Sequence, residues 1–117
     1  MDCREVLEGV CSRITYCSRD LVVMESRIQR GARVPKHSHG SVQATFCLAG
    51  RLLLGIEGRG ERVLSPGDYE VIPPGVPHWA VALEDSLVVD VNAPLTRDRL
   101  ELARRLGADC PEEPRGA

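Results

Sequence analysis

Two histidines two residues apart, His37 and His39, first suggest chemistry in this 117-residue chain. Side chains alternate between the two faces of a strand, so both imidazoles would lie on one face and could share one ion. The third histidine of the sequence, His78, follows the turn Pro73-Pro-Gly75. Imidazole nitrogen is a common ligand of transition metals in proteins. The three positions therefore predict a metal site.

Gln43 lies four residues after His39 and has the same strand parity if the strand resumes after Gly40 and Ser41. Its amide oxygen could be a fourth ligand; the alternative is that it lies beside the ligands without binding the ion. Neutral ligands leave the charge of the ion uncompensated, which favours activation of a carbonyl or hydroxyl group. We expect one divalent transition metal ion, with zinc or nickel favoured over iron, manganese or copper.

The other candidates for the interior follow from the same alternation. Thr45 and Cys47 share the parity of Gln43, and for Cys47 the alternative is a small buried hydrophobic residue. The strand over residues 87–92 has an apolar face and a mixed face, formed by Leu87, Val89 and Val91 and by Val88, Asp90 and Asn92. If the mixed face points inward, Asp90 is the candidate proton acceptor, since burial can raise its pKa. The alternative is a solvated carboxylate near a strand end.

The composition is that of one ordinary globular domain, with 43% hydrophobic residues, 27% charged residues and a net charge of -2. The sequence has no strongly basic patch and no apolar stretch near membrane-spanning length, so we expect neither nucleic acid nor membrane as a partner. An N-terminus without an apolar signal region predicts a cytoplasmic protein. Five cysteines without a Cys-x-x-Cys pair predict free thiols in a reducing compartment.

Short strands about ten residues apart, separated by turns rich in glycine and proline, predict an all-β barrel or sandwich. One short helix is predicted from Thr96 or Asp98 to Leu106, with Gly107 as its stop signal. We expect an N-terminal arm over residues 1–9, one domain over residues 10–107 and a disordered tail over residues 108–117.

The two histidine-bearing segments resemble the two spaced motifs of the cupin superfamily. The matching residues are Gly31, His37, His39, Gln43 and Gly50, followed by Gly67, Pro73, Gly75 and His78. The resemblance implies a small antiparallel β-barrel or jelly roll around one divalent ion. It also implies a homodimer, for which the apolar face of residues 87–91 offers a surface.

Residues 76–98 resemble the pectin-degradation cupins that open 4,5-unsaturated uronates, which also have Gln in the first motif. That resemblance implies Asp90 as the catalytic acid or base. Asn92 replaces an aromatic residue of that family, and Thr96 stands where an Arg helps to hold the substrate carboxylate, although Arg97 is adjacent. We therefore expect a substrate pocket with Asn92, Thr45, Cys47 and Arg97.

The expected function is a metal-dependent isomerase, cyclase or lyase that performs a non-oxidative step on a small oxygenated molecule. That molecule would be a uronate-like sugar or a biosynthetic intermediate, as in cupins that act as polyketide cyclases. Two alternatives remain open: an iron- or copper-dependent dioxygenase, and a non-catalytic binding or sensing cupin.

Overall fold

The computed structural model describes residues 2–111 and residue 113, which form ten strands and one helix. The elements are β1 (Arg4–Leu7), β2 (Val10–Cys17), β3 (Val22–Ile28), β4 (Arg33–His37), β5 (Val42–Ala49), β6 (Leu52–Ile56), β7 (Gly60–Leu64), β8 (Tyr69–Ile72), β9 (His78–Ala82), β10 (Ser86–Ala93) and α1 (Arg97–Arg105). All strand pairs are antiparallel, in a six-stranded sheet of order β1-β2-β3-β10-β5-β8 and a four-stranded sheet of order β4-β9-β6-β7. The all-β prediction is confirmed as a jelly roll whose two sheets do not close into a barrel within the described residues.

The core lies between the inner faces of the two sheets. Its buried members are Val10, Ile28, Cys47, Leu52, Leu54, Ile56, Leu64, Ile72, Ala80, Ala82 and Val88. Alternation along β10 buries Val88 and Asn92, which are 2% and 1% exposed. The mixed face of this strand therefore points inward with Asp90, and the apolar face of residues 87–91 points outward.

An exposed apolar surface covers the outer side of the six-stranded sheet. We name it the outer apolar patch, formed by Phe46, Leu48, Tyr69 and Val71. The rings of Phe46 and Tyr69 stack with centroids 5.7 Å apart, and Val89 of β10 pairs with Phe46 on the other side. The patch is thus continuous with the outward face of β10.

Both ends of the described chain make backbone hydrogen bonds to the rest of the domain. Arg4–Leu7 form β1, which pairs with β2, where the sequence suggested an arm. Residues 108–111 follow α1, and Ala108 donates a backbone hydrogen bond to Ala103. The expected disordered tail stays a prediction, and its residues 112 and 114–117 lie outside the described part.

The prediction that every cysteine is a free thiol is also wrong. Cys3 is bonded to Cys11 and Cys17 to Cys110, with Cα atoms 5.5 and 5.4 Å apart, and Cys47 is the free cysteine among the described residues. The first bond follows from the pairing of β1 with β2. The second joins residues 93 positions apart, because the segment after α1 returns to β2. Neither contact can be recognised from spacing, since both depend on the tertiary fold.

The helix α1 is close to its predicted bounds and ends before Gly107, which has a φ of 76°. Its fully buried residues Leu100 and Ala103 face the domain, where Leu100 packs with Val22 and Leu95. The described residues contain no helix with the length and apolar character that a membrane crossing requires.

Candidate metal centre

The fold brings all three histidines together. His37 ends β4 and pairs directly with His78, the first residue of β9, while His39 lies in the loop after β4. Their ring centroids are 4.3 to 5.0 Å apart, and one nitrogen of each lies within 4.8 Å of the others. The cluster can therefore hold one metal ion.

Backbone carbonyls set the orientation of two of the rings. His37 Nδ1 lies 2.7 Å from the carbonyl oxygen of Pro35, and His78 Nδ1 lies 2.9 Å from that of Val76. A carbonyl oxygen only accepts hydrogen bonds, so Nδ1 of each ring is the donor and Nε2 keeps its lone pair. In metal sites, a hydrogen bond from the ring nitrogen that does not bind the ion commonly fixes the orientation of the histidine.

His39 has an acceptor on each side of its ring. Nδ1 is 3.5 Å from the Asp98 carboxylate, and Nε2 is 2.9 Å from Gln43 Oε1. A neutral imidazole has one ring hydrogen. With that hydrogen on Nδ1, facing Asp98, the Nε2 lone pair and the Gln43 oxygen both remain available to an ion.

The chemistry of the donor set fits a divalent metal. His78 Nε2 is buried and has no hydrogen-bond partner among the described residues, an unfavourable state that a metal ion would relieve. Burial, aided by Arg99 and the neighbouring imidazoles, lowers the pKa of His39 to about 4. Burial also lowers the pKa of His78. The rings of His39 and His78 are thus held neutral, the form that binds metal.

Two buried side chains hold Gln43 in place. Asn92 Nδ2 donates to Gln43 Oε1 at 3.1 Å, and Gln43 Nε2 donates to Thr45 Oγ1 at 3.0 Å and to Asp90 Oδ1 at 3.4 Å. These contacts direct the amide oxygen towards His39. Thr45 and Asn92, which the sequence placed in the substrate pocket, lie behind Gln43 and do not line the cavity.

Asp90 lies beside the histidines. Its Oδ1 accepts a hydrogen bond from Thr45 Oγ1 at 2.7 Å. Burial raises the pKa of Asp90, while the Thr45 hydroxyl, Arg99 and His37 act in the opposite direction. The carboxylate is part of the wall of a cavity of about 330 Å³ that His37 and His78 also line.

Two arginines line this cavity, the largely buried Arg99 and the exposed Arg105. Arg97, the residue expected in the pocket, has an exposed side chain and forms an ion pair with Glu113 at 3.3 Å. Arg99 lines the cavity with a side chain that is only 16% exposed. Two residues along a helix correspond to a rotation of about 200°, so the two arginines point to opposite sides. Arg99 and Leu102 are three residues apart, so they lie on the same face of α1, and both line the cavity.

Cys47 does not line the cavity either. It is fully buried, and its Sγ donates to the carbonyl oxygen of Ala49 at 3.5 Å. Burial raises the pKa of this thiol, so it stays protonated. Its position matches the alternative of a small buried hydrophobic residue.

Comparison with known proteins identifies the family. The sequence pattern of the cupin domain matches residues 24–91. The structure of KdgF from Halomonas sp. is 36% identical, with a TM-score of 0.78, over 84% of this chain and 92% of that one. An RmlC-like cupin from Shewanella frigidimarina NCIMB 400 is 23% identical, with a TM-score of 0.78, over 83% and 86% of the two chains. Ectoine synthase from P. lautus is 17% identical, with a TM-score of 0.70, over 83% and 73%. The last two similarities support the fold alone.

No curated protein sequence matches the chain. The matched domain nevertheless covers more than half of it, and all three histidines fall inside that domain. On this evidence the chain belongs to the cupin family.

Proposed function

We propose that this cupin is a metal-dependent enzyme for a non-oxidative isomerisation, cyclisation or lyase-type step on a small oxygenated substrate. One observation carries the proposal: His37, His78 and the carboxylate of Asp90 line the same cavity. A histidine cluster that can bind a metal ion, beside a partly buried carboxylate, would supply the two elements of proton abstraction next to a carbonyl group.

His37, His39 and His78 would hold the ion, with the oxygen of Gln43 as a fourth ligand and zinc or nickel as the favoured metals. When bound, the ion supplies Lewis acidity, which stabilises negative charge on a substrate oxygen. Both hydrogen bonds to Asp90 fall on its Oδ1. Its Oδ2 is therefore the atom that takes up the substrate proton and returns it to a neighbouring carbon.

The similarity to KdgF supports the enzyme class, because it extends over most of both chains at 36% identity. The ring opening of unsaturated uronates, which the sequence resemblance implies, is one reaction of this class. The arginine position differs, with Thr96 in the family's place and Arg99 in the cavity wall.

The first test is metal content by elemental analysis of untagged protein. We expect about one equivalent of metal in the native chain, its loss in His39→Ala and its retention in Asp90→Asn. Turnover is then followed anaerobically by proton NMR in deuterated water, with 4,5-unsaturated uronates and cyclisable polyketides as substrates.

Native protein should incorporate deuterium at a substrate carbon, and Asp90→Asn should lose about 100-fold or more of this rate. Glu84→Gln, an exposed carboxylate change, is the control and should leave the rate unchanged. Oxygen uptake on turnover would replace the proposal with a dioxygenase. Binding without any exchange would replace it with a binding or sensing module.

A further inference from the structure

We propose that the natural ligand of the cavity is an amphipathic acid, whose anionic group is held by Arg99 and whose body is an alkyl, alkenyl or aryl group. This inference rests on the proposed function for the metal end of the cavity. It goes further in naming the substrate class, which differs from a sugar.

The part of the cavity away from the histidines has apolar walls. We name this part the apolar chamber, formed by Val10, Ile28, Leu54, Ala80 and Val88, with Met24, the sheet partner of Asp90, at its boundary with the metal end. These side chains come from both sheets, and all except Met24 are buried. An apolar group that enters this chamber leaves water without losing any hydrogen bond to the protein.

The two hydroxyl groups beside the chamber are hydrogen-bonded to each other, so they offer a ligand only one hydroxyl hydrogen and their remaining lone pairs. Ser12 and Ser26 also line the cavity, and their Oγ atoms are hydrogen-bonded at 2.6 Å. A sugar ring would bring several hydroxyl groups to this wall, and each one left without a partner costs about 1–3 kcal/mol. The wall therefore disfavours a uronate and favours a hydrocarbon group.

The size of the cavity agrees with this choice. Its volume is about 330 Å³. An apolar cavity of about 150 Å³ is enough to bind benzene. The space therefore holds one ring or a chain of several carbons, together with an anionic group at the polar end.

Arg99 supplies a positive charge at that end, and the other cationic side chains that line the cavity, Lys36 and Arg105, are exposed. Its Nε is buried without a hydrogen bond among the described residues, and the nearest carboxylate oxygen, from Asp98, is 3.6 Å away. Arg99 lowers the pKa values of His39, His78 and Asp90, so its charge acts on the whole metal end. A guanidinium group binds a carboxylate through two parallel hydrogen bonds.

Calorimetric binding of straight-chain carboxylates to zinc-loaded protein tests the chamber. The probes are acetate, butanoate and hexanoate, with galacturonate as the polar probe. Burial of each methylene group should tighten binding about fourfold, so hexanoate should bind about 15-fold more tightly than butanoate. Galacturonate should bind more weakly than hexanoate. Equal affinity along the series, or tighter binding of galacturonate, would overturn the proposal.

Two variants test the ends of the cavity separately. Met24→Gln places an amide in the chamber wall. It should weaken the binding of hexanoate about tenfold and leave the binding of acetate unchanged, and Met24→Leu is its apolar control.

Arg99→Met should weaken the binding of all carboxylates by one common factor of about tenfold or more and leave the binding of hexan-1-ol unaffected. Its control is Arg97→Met, which should change nothing. If Arg97→Met and Arg99→Met had equal effects, Arg99 would have no specific role in binding and this part of the proposal would be wrong. Circular dichroism melts verify that each variant is folded.

Failure of this inference can be told apart from failure of the proposed function. If zinc binds and Asp90→Asn loses proton exchange, but affinity does not depend on chain length, only the substrate class is wrong. If the protein binds no metal and the chain-length dependence persists, the ligand class stands and the metal-dependent enzyme does not.

Discussion

Asn92→Ala is the substitution that most directly tests how the metal centre is built. Asn92 is 1% exposed, and its Nδ2 donates to Gln43 Oε1 and to Ser41 Oγ, both at 3.1 Å. The substitution removes both hydrogen bonds and leaves a small cavity. At about 1 kcal/mol for each buried bond plus the cavity, unfolding of the metal-free protein should become easier by about 2–3 kcal/mol.

The effect on metal binding follows from the same geometry. Without Asn92, the Gln43 amide loses the donor that holds its oxygen towards His39. Loss of such an outer contact typically weakens metal binding about 10- to 100-fold. Zinc affinity is measured by competition with a chromogenic chelator for native protein, Asn92→Ala, Gln43→Ala and the double variant. If Asn92 acts through Gln43, the double variant should bind zinc as Gln43→Ala does.

Ser41→Ala is the matched control. It removes one partner of Asn92 and keeps the hydrogen bond to Gln43, so stability should fall by about 1 kcal/mol with zinc affinity unchanged. Native-like zinc affinity in Asn92→Ala, together with weakened binding in Gln43→Ala, would refute the role of Asn92. Native-like affinity in both variants would show that Gln43 is not a ligand.

Three further predictions concern the scaffold. A Cβ on Gly55 would overlap the indole of Trp79. Gly55→Ala should therefore destabilise the fold by about 1–3 kcal/mol and shift the fluorescence emission of this single tryptophan. An unchanged melting temperature would contradict the close packing. Replacement of both Cys17 and Cys110 by Ser removes a bond that closes a long loop. The free energy of unfolding, measured in urea, should fall by up to about 4–5 kcal/mol. Equal stability would mean that the bond is not formed. We propose a homodimer that forms through the outer apolar patch. Light scattering should give twice the chain mass for the native protein and the mass of one chain for Phe46→Glu. A native protein that is monomeric would exclude this interface.

Residue types and spacing alone predicted the all-β fold and the convergence of the three histidines. The histidine positions sufficed because strand alternation fixes which side chains share a face, and His37 and His78 meet on paired strands. Strand alternation alone did not decide whether the side chain of Asp90 points into the domain or away from it. The packing of the six-stranded sheet against the four-stranded sheet decides between these two directions, because it buries the face of β10 that carries Val88 and Asn92.

Contacts that depend on how separate elements approach one another could not be predicted in this way. The position of α1 on the domain decides which of Arg97 and Arg99 reaches the cavity, and a shift of two residues in the helix phase, about 200°, would exchange them. The bond between Cys17 and Cys110 likewise requires the chain after α1 to return to β2. In both cases the deciding information lies in tertiary packing.

The structure also gives a physical reason for glutamine at position 43. Gln43 Nε2 is 3.4 Å from Asp90 Oδ1 and donates to it. In the metal-free protein, a glutamate there would place a second carboxylate at that distance, where two negative charges repel by about 5 kcal/mol at an effective dielectric constant of about 20. One of the two would then hold a proton at neutral pH, as in other close carboxylate pairs. The amide instead keeps its oxygen beside the histidines and supplies a donor to Asp90, so this carboxylate can remain charged and accept a proton from the substrate.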